Sequence, residues 1–220
     1  MQADEPQKPG PATWELWSGA EASQNTWSIY SGASWAPFSG IHDDGLRLRV
    51  VLGQGDYHTG TVAYSDLLIG YYKQLGPVTF KLFGGIAFAN HATWEGPHAS
   101  SSGKGVLETW WTISDRAWAS ADVAVSATRI NPPSTDYGSR VRLGWRLWPE
   151  LSVGLEGGAG GPIDATPAPP DAARAGGFLR YEWAAGEISV SGGLAFKEPA
   201  PGGRADGPGA FATVSLLTRF

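Results

Sequence analysis

The stretch Ala210-Phe211-Ala212-Thr213-Val214-Ser215-Leu216-Leu217-Thr218-Arg219-Phe220 decides how the chain is read. Ala212, Val214, Leu216 and Phe220 fall on one face of an extended segment, and Thr213, Ser215 and Arg219 on the other. A half-polar strand at the end of a chain exposes a row of unpaired backbone groups unless both its edges find partners. Pairing it with the first strand closes a barrel. A barrel that is apolar outside and polar inside is one of two ways a chain can cross a bilayer.

The same period of two recurs along the chain. Strands are expected at Thr13–Ala20, Trp27–Phe38, Leu46–Gly53, Thr61–Gln74, Val78–Ala89, Gly105–Ser114, Ala117–Thr128, Tyr137–Trp148, Leu151–Gly158, Arg174–Ala184 and Glu187–Lys197, with Ala210–Phe220 the twelfth. In the third, Leu46, Leu48, Val50 and Leu52 alternate with Arg47, Arg49, Val51 and Gly53. In the eighth, Val141, Leu143, Trp145 and Leu147 alternate with Arg140, Arg142, Gly144 and Arg146. Three arginines on one face need water or acids opposite them.

Connection lengths carry an independent signal, because transmembrane barrels have short periplasmic turns and long outer loops. The odd connections include His91–Lys104, Ile130–Asp136, Gly161–Ala173 and Glu198–Pro208. The even ones include Leu75–Pro77, Asp115–Arg116, Pro149–Glu150 and Ala185–Gly186, with Ser39–Gly45 a longer exception. Long and short alternate. The expected fold is all-β: one antiparallel transmembrane barrel of about twelve strands over residues 13–220, after a disordered leader at 1–12. The terminal phenylalanine also matches the strand that ends bacterial outer-membrane barrels, although Thr218 interrupts its apolar row.

Composition agrees. Glycine (31), tryptophan (11) and proline (16) are abundant and only 17% of residues are charged, which suits short strands and turns. A net charge of −5 gives no basic stripe for nucleic acid. Cysteine is absent, so no disulfide scaffold or thiolate metal site is expected. The polar run Gln2–Gly10 carries no apolar core of a signal peptide, as in a mature chain preceded by an added Met.

The segments Tyr30-Ser31-Gly32-Ala33, Asp44-Gly45-Leu46-Arg47-Leu48-Arg49, Gly53-Gln54-Gly55-Asp56-Tyr57 and Gly176-Gly177-Phe178, with the terminal strand, resemble the recurring segments of the BcsS family of alphaproteobacterial outer-membrane cellulose-biosynthesis proteins. The resemblance covers nearly the whole chain and rests on strand and turn motifs. It implies an outer-membrane location, a structural or accessory role in cellulose production or export, and cellulose or its secretion components as partners alongside membrane lipid. It supplies no catalytic residues.

Sorting strand positions by face places Arg47, Arg49, Lys81, Arg140, Arg142, Arg146 and Arg180 inside, with Glu15, Asp66, Glu108, Asp122, Glu156 and Glu182. This near balance describes a self-compensating lumen better than a basic track for anionic or sugar solutes, the reading a channel would need. Across the hairpin at Pro149-Glu150, Arg142 is expected opposite Glu156. Trp14, Trp27, Trp35, Trp145 and Trp183 fit aromatic girdles, while Trp17, Trp110 and Trp148 inside and Trp94 in an outer loop are candidate glucan contacts.

Catalysis has little to stand on. There is no Gly-x-Ser-x-Gly elbow and no His-Glu-x-x-His helix. His58 near Asp56 and Ser65 is the one arrangement that a lipid-modifying enzyme could use, and His91, Glu95 and His98 sit in a loop-like context that predicts no metal site. No cofactor and no enzyme activity are expected.

Overall fold

The computed structural model describes residues 11–23, 26–57, 60–93, 96–128, 134–163, 172–197 and 208–220. Twelve strands run through them: β1 (Trp14–Ser23), β2 (Thr26–Trp35), β3 (Gly45–Tyr57), β4 (Gly60–Leu75), β5 (Val78–Thr93), β6 (Gly96–Thr112), β7 (Ala117–Thr128), β8 (Ser134–Trp148), β9 (Leu151–Pro162), β10 (Ala172–Trp183), β11 (Gly186–Lys197) and β12 (Gly209–Arg219). Each pairs antiparallel with its sequence neighbours, and β12 pairs with β1 to close the barrel. At that seam Glu15 lies opposite Arg219, and the amides of Thr13 and Trp14 both donate to the Phe220 carbonyl. The terminal strand therefore leaves no edge.

Alternation sets the faces. Leu48, Val50, Leu52, Leu67, Ile69, Leu143 and Val214 are exposed on the outer wall, while Arg47, Arg49, Asp66, Arg142 and Glu156 are buried within. This inverts a soluble protein, as a lipid-facing surface requires. Trp14 stacks on Trp35 at the end that carries the short turns, their ring centroids 5.6 Å apart, and exposed Trp145 and Trp183 lie at the same end. By the loop-length rule this end faces the periplasm. At the opposite rim Trp27 donates its Nε1 hydrogen to Asp56 Oδ2 at 2.8 Å.

Beyond shifts of three or four residues at strand ends, as where β1 runs to Ser23, β2 stops at Trp35, β3 runs to Tyr57 and β9 to Pro162, the structure departs from the sequence reading in three places. Residues 91–93 and 96–104, expected within a loop, continue β5 and β6, whose pairing runs out to Thr93 opposite Gly96. At 16 and 17 residues these strands exceed the 9–11 or so that cross a bilayer. The longer even connection between β2 and β3 folds back under the barrel: the Ala36 amide donates to the Thr13 carbonyl and the Ile41 amide to the Ala12 carbonyl. Those bonds fix the end of the expected leader as well, while residues 1–10 lie outside the described residues. Third, a bulge between Arg146 and Trp148 shifts the register beside the β8–β9 turn.

Inside the wall, large rings face glycines directly across the strand boundary. Tyr30 lies against Gly19, Trp17 against Gly32, Tyr64 against Gly53, Phe83 against Gly70, Trp118 against Gly144 and Phe178 against Gly154. A ring laid flat over a bare backbone covers its hydrogen bonds and pins the register. A Cβ at Gly144 would sit 2.2 Å from Trp118 Cε2, and Trp118 has no exposed surface into which to move. Gly144→Ala should therefore cost about 1–3 kcal/mol. Gly138 also faces inward, with open space at its Cβ position, so Gly138→Ala should be close to neutral. The temperature at which the folded band disappears on SDS gels distinguishes the two.

Candidate functional site in the lumen

The inward charges assemble into linked networks. At the periplasmic end, Arg49 makes a bidentate contact with Glu108, and Lys81 reaches Glu15 at 3.3 Å and Glu108 at 3.9 Å. Arg219 Nε donates to Glu15 Oε2 at 3.1 Å and approaches Glu187 at 3.9 Å. Glu187 accepts from Arg180, which also forms an ion pair with Glu182 at 2.9 Å. Farther up, Arg142 Nε donates to Glu156 Oε2 at 2.5 Å, and Glu156 also meets Arg174 at 3.3 Å, which pairs in turn with Glu21. Arg140 binds Asp122 at 3.0 Å and Lys104 binds Asp66 at 2.6 Å.

These contacts cross the lumen as well as following its wall. Lys81 on β5 reaches β1, Arg49 on β3 reaches β6, and Arg180 on β10 stacks over Trp110 on β6, 4.7 Å from the ring centroid. Aromatic rings fill the gaps: Trp110 stacks on Trp118 at 4.2 Å, Trp118 meets Phe178 at 5.4 Å, and Arg49 covers Phe83 at 3.7 Å. Trp118 and Ser152 are wholly buried and Phe83 is 2% exposed although all three point inward. Inward side chains of a water-filled pore would be wet. Twelve strands lie between the eight that side chains just fill and the sixteen that leave a channel, and here the periplasmic half is filled.

The β2–β3 connection completes this closure. Arg47, 1% exposed, donates to the carbonyls of Gly40 (3.0 Å), Ile41 (3.1 Å), Asp43 (2.5 Å) and Leu46 (2.8 Å) and to Ser39 Oγ (3.1 Å). Its guanidinium lies over the Tyr72 ring at 5.1 Å. His42 comes within electrostatic reach of Arg219, Glu15 and Lys81, which places the loop at the periplasmic mouth. Toward the outer end the wall changes character: Ala87, Ala89, Ser100, Ser102, Ala124, Ser126 and Gly138 line it, and small side chains leave a vestibule.

Of the polar positions expected inside, Arg47, Arg49, Lys81, Glu108, Asp122, Arg140, Arg142, Glu156, Arg180 and Glu182 all face the lumen in these networks. Arg146 sits at the rim and donates to the Asp115 carbonyl at 3.2 Å. Glu21, Lys104, Arg174, Glu187 and Arg219 join them. Glu21 and Lys104 lie just beyond the strand ends expected from sequence. The tryptophans read as glucan contacts fare differently. Trp17 and Trp110 point inward with their faces taken, Trp17 between Gly32 and Arg49, Trp110 between Trp118 and Arg180. Trp148 is 62% exposed: it pairs with Leu151 across the bulge and is turned away from the lumen that strict alternation assigns it. Trp94 lies outside the described residues.

The family model for the cellulose biosynthesis protein BcsS matches residues 15–220. The chain belongs to the BcsS family. Like its relatives in that family model it is a cellulose-biosynthesis protein, and its barrel places it in the bacterial outer membrane. No curated protein is similar to it in sequence. Among solved structures this BcsS-family barrel is similar to the KdgM porin (9% identity, TM-score 0.56, 94% of this chain and 99% of that one). It is similar also to the NanC porin (7%, 0.56, 94% and 100%) and to LpxR from Salmonella typhimurium (11%, 0.53, 94% and 100%). Identities this low establish the shared barrel alone.

Proposed function

We propose that this barrel is a non-catalytic surface accessory of cellulose deposition, stoppered toward the periplasm, which engages the polymer or its secretion machinery from outside instead of conducting it. The observation that carries this reading is the layer of arginines, acids and rings crossing the periplasmic half of the lumen, with the Arg47-held loop at its mouth. Sugar nucleotides stay in the cytoplasm, so a protein in the outer membrane acts on glucan already made. Deleting the gene should reduce cellulose at the cell surface and leave glucan synthesis by inner-membrane extracts unchanged. A deletion strain with normal surface cellulose contradicts the accessory role.

A solute channel is the second reading, and the vestibule of small residues at the outer end favours it. Conduction would require the ion-pair layer to part. A lipid-modifying activity has less support, since Asp56 and Ser65 occupy outward positions and Asp56 is engaged by Trp27. His58 lies outside the described residues.

A further inference from the structure

Of the six rings laid over glycines, four have their lumen faces covered. Phe83, Trp118 and Phe178 are buried in the periplasmic layer, and Arg49 sits over Trp17 at 5.1 Å. Tyr30 and Tyr64 differ. Both are only half-buried, and among the described residues no ring or guanidinium packs over either. They belong to one cross-strand row, Gly19, Tyr30, Gly53, Tyr64, Ala89 and Ser100, each directly opposite the next.

In that row Tyr30 lies down over Gly19 and Tyr64 lies down over Gly53, so both rings lean the same way. They stand two strand spacings apart, about 10 Å, on the order of the length of a disaccharide. On the far side of Tyr64 the row continues with the small residues Ala89 and Ser100. Asp66, paired with Lys104, lies beside Tyr64, and Arg140, paired with Asp122, lies within reach of Tyr30.

We propose that Tyr30 and Tyr64 form a stacking shelf for two glucose units, one disaccharide repeat apart, of a β-linked glucan entering from the extracellular mouth. A pyranose ring presents an apolar C–H face to an aromatic plane and hydroxyls around its edge. The shelf offers two such planes, and the flanking ion pairs offer donors and acceptors at the edges. Because those charges are already paired, the site suits a neutral ligand better than an anion. Lipid faces only the outer wall, and the periplasmic layer stops a chain from threading through, so the shelf holds a chain end or segment. The identity of the sugar rests on the surface-accessory reading; the stacking geometry does not.

The test is calorimetric titration of the detergent-folded protein with cellohexaose. Saturable binding is expected. Tyr30→Ala and Tyr64→Ala should each weaken it about tenfold or more, while Tyr64→Phe, which keeps the plane, should stay within about threefold of wild type. Should Tyr64→Ala fail to fold, Tyr64→Leu still covers Gly53 without an aromatic face and replaces it. Maltohexaose, whose linkage curves the chain away from a flat shelf, should bind much more weakly. Folded wild type that ignores cellohexaose, alanine variants that bind it normally, or equal binding of maltohexaose would each overturn the proposal. Binding by a barrel whose deletion spares surface cellulose would keep the shelf and sink the accessory role, so the two claims fail separately.

Discussion

Removing the Glu156 carboxylate should destabilise the barrel more than any other loss of a single charge. Its side chain is fully buried, accepts from Arg142 Nε at 2.5 Å, meets Arg174 at 3.3 Å and lies 3.5 Å from Ser191 Oγ. Glu156→Ala leaves Arg142 buried beside Ser189 with its carboxylate partner gone, and breaking a buried pair in this way costs about 3–5 kcal/mol. For a chain of this length that corresponds to a fall of roughly 6–20 °C in the temperature at which the compact band unfolds on SDS gels. Asp122→Ala provides the contrast. Asp122 and Arg140 are each about a third exposed, so water screens the loss and about 1 kcal/mol or less is expected. Equal effects from the two substitutions would mean that the lumen is uniformly wet.

Arg47→Ala should release the loop between β2 and β3 from the periplasmic mouth. One guanidinium holds four carbonyls and a serine hydroxyl of the loop and its junction with β3, and bonds from a charged donor contribute about 1.5–3 kcal/mol each where no other partner is at hand. The loop carbonyls can turn to water once freed, so the net loss should be about 2–4 kcal/mol. The readout is specific to the loop: a protease added from the periplasmic side should cut within residues 36–44 of Arg47→Ala and spare wild type. Arg47→Lys should not restore protection, because an ammonium is a point charge that cannot span the same set of acceptors. An Arg47→Ala protein as resistant as wild type would show that the loop is held by something else.

How much of this was legible in the sequence follows the range of the physics involved. Alternation is local, so the twelve strands, their faces and the placement of Arg142 opposite Glu156 could be read directly. That pair survives even though the turn beside it is not a simple one, because the bulge lies between Arg146 and Trp148, on the turn side of both residues' register. The same bulge turned Trp148 outward, and nothing in the local pattern marks it. The length of Ser39–Gly45 stood out against the parity of the connections, but its role depends on Arg47 reaching back to carbonyls that only the folded loop presents. Contacts across the lumen, such as Lys81 with Glu15, depend on barrel closure and strand stagger and leave no trace in spacing. Nothing in the local pattern singles out Tyr30 and Tyr64, because whether a ring stands in the lumen or lies along its wall is decided by the glycine on the neighbouring strand.

The central claim is that the barrel is closed toward the periplasm, and planar-bilayer recording of the purified wild-type protein tests it most directly. A protein that inserts, as judged by its heat-dependent migration, yet shows no large stable conductance is the result expected from the ion-pair and aromatic layer. Steady open-channel currents from wild type would contradict that closure and establish the channel in its place.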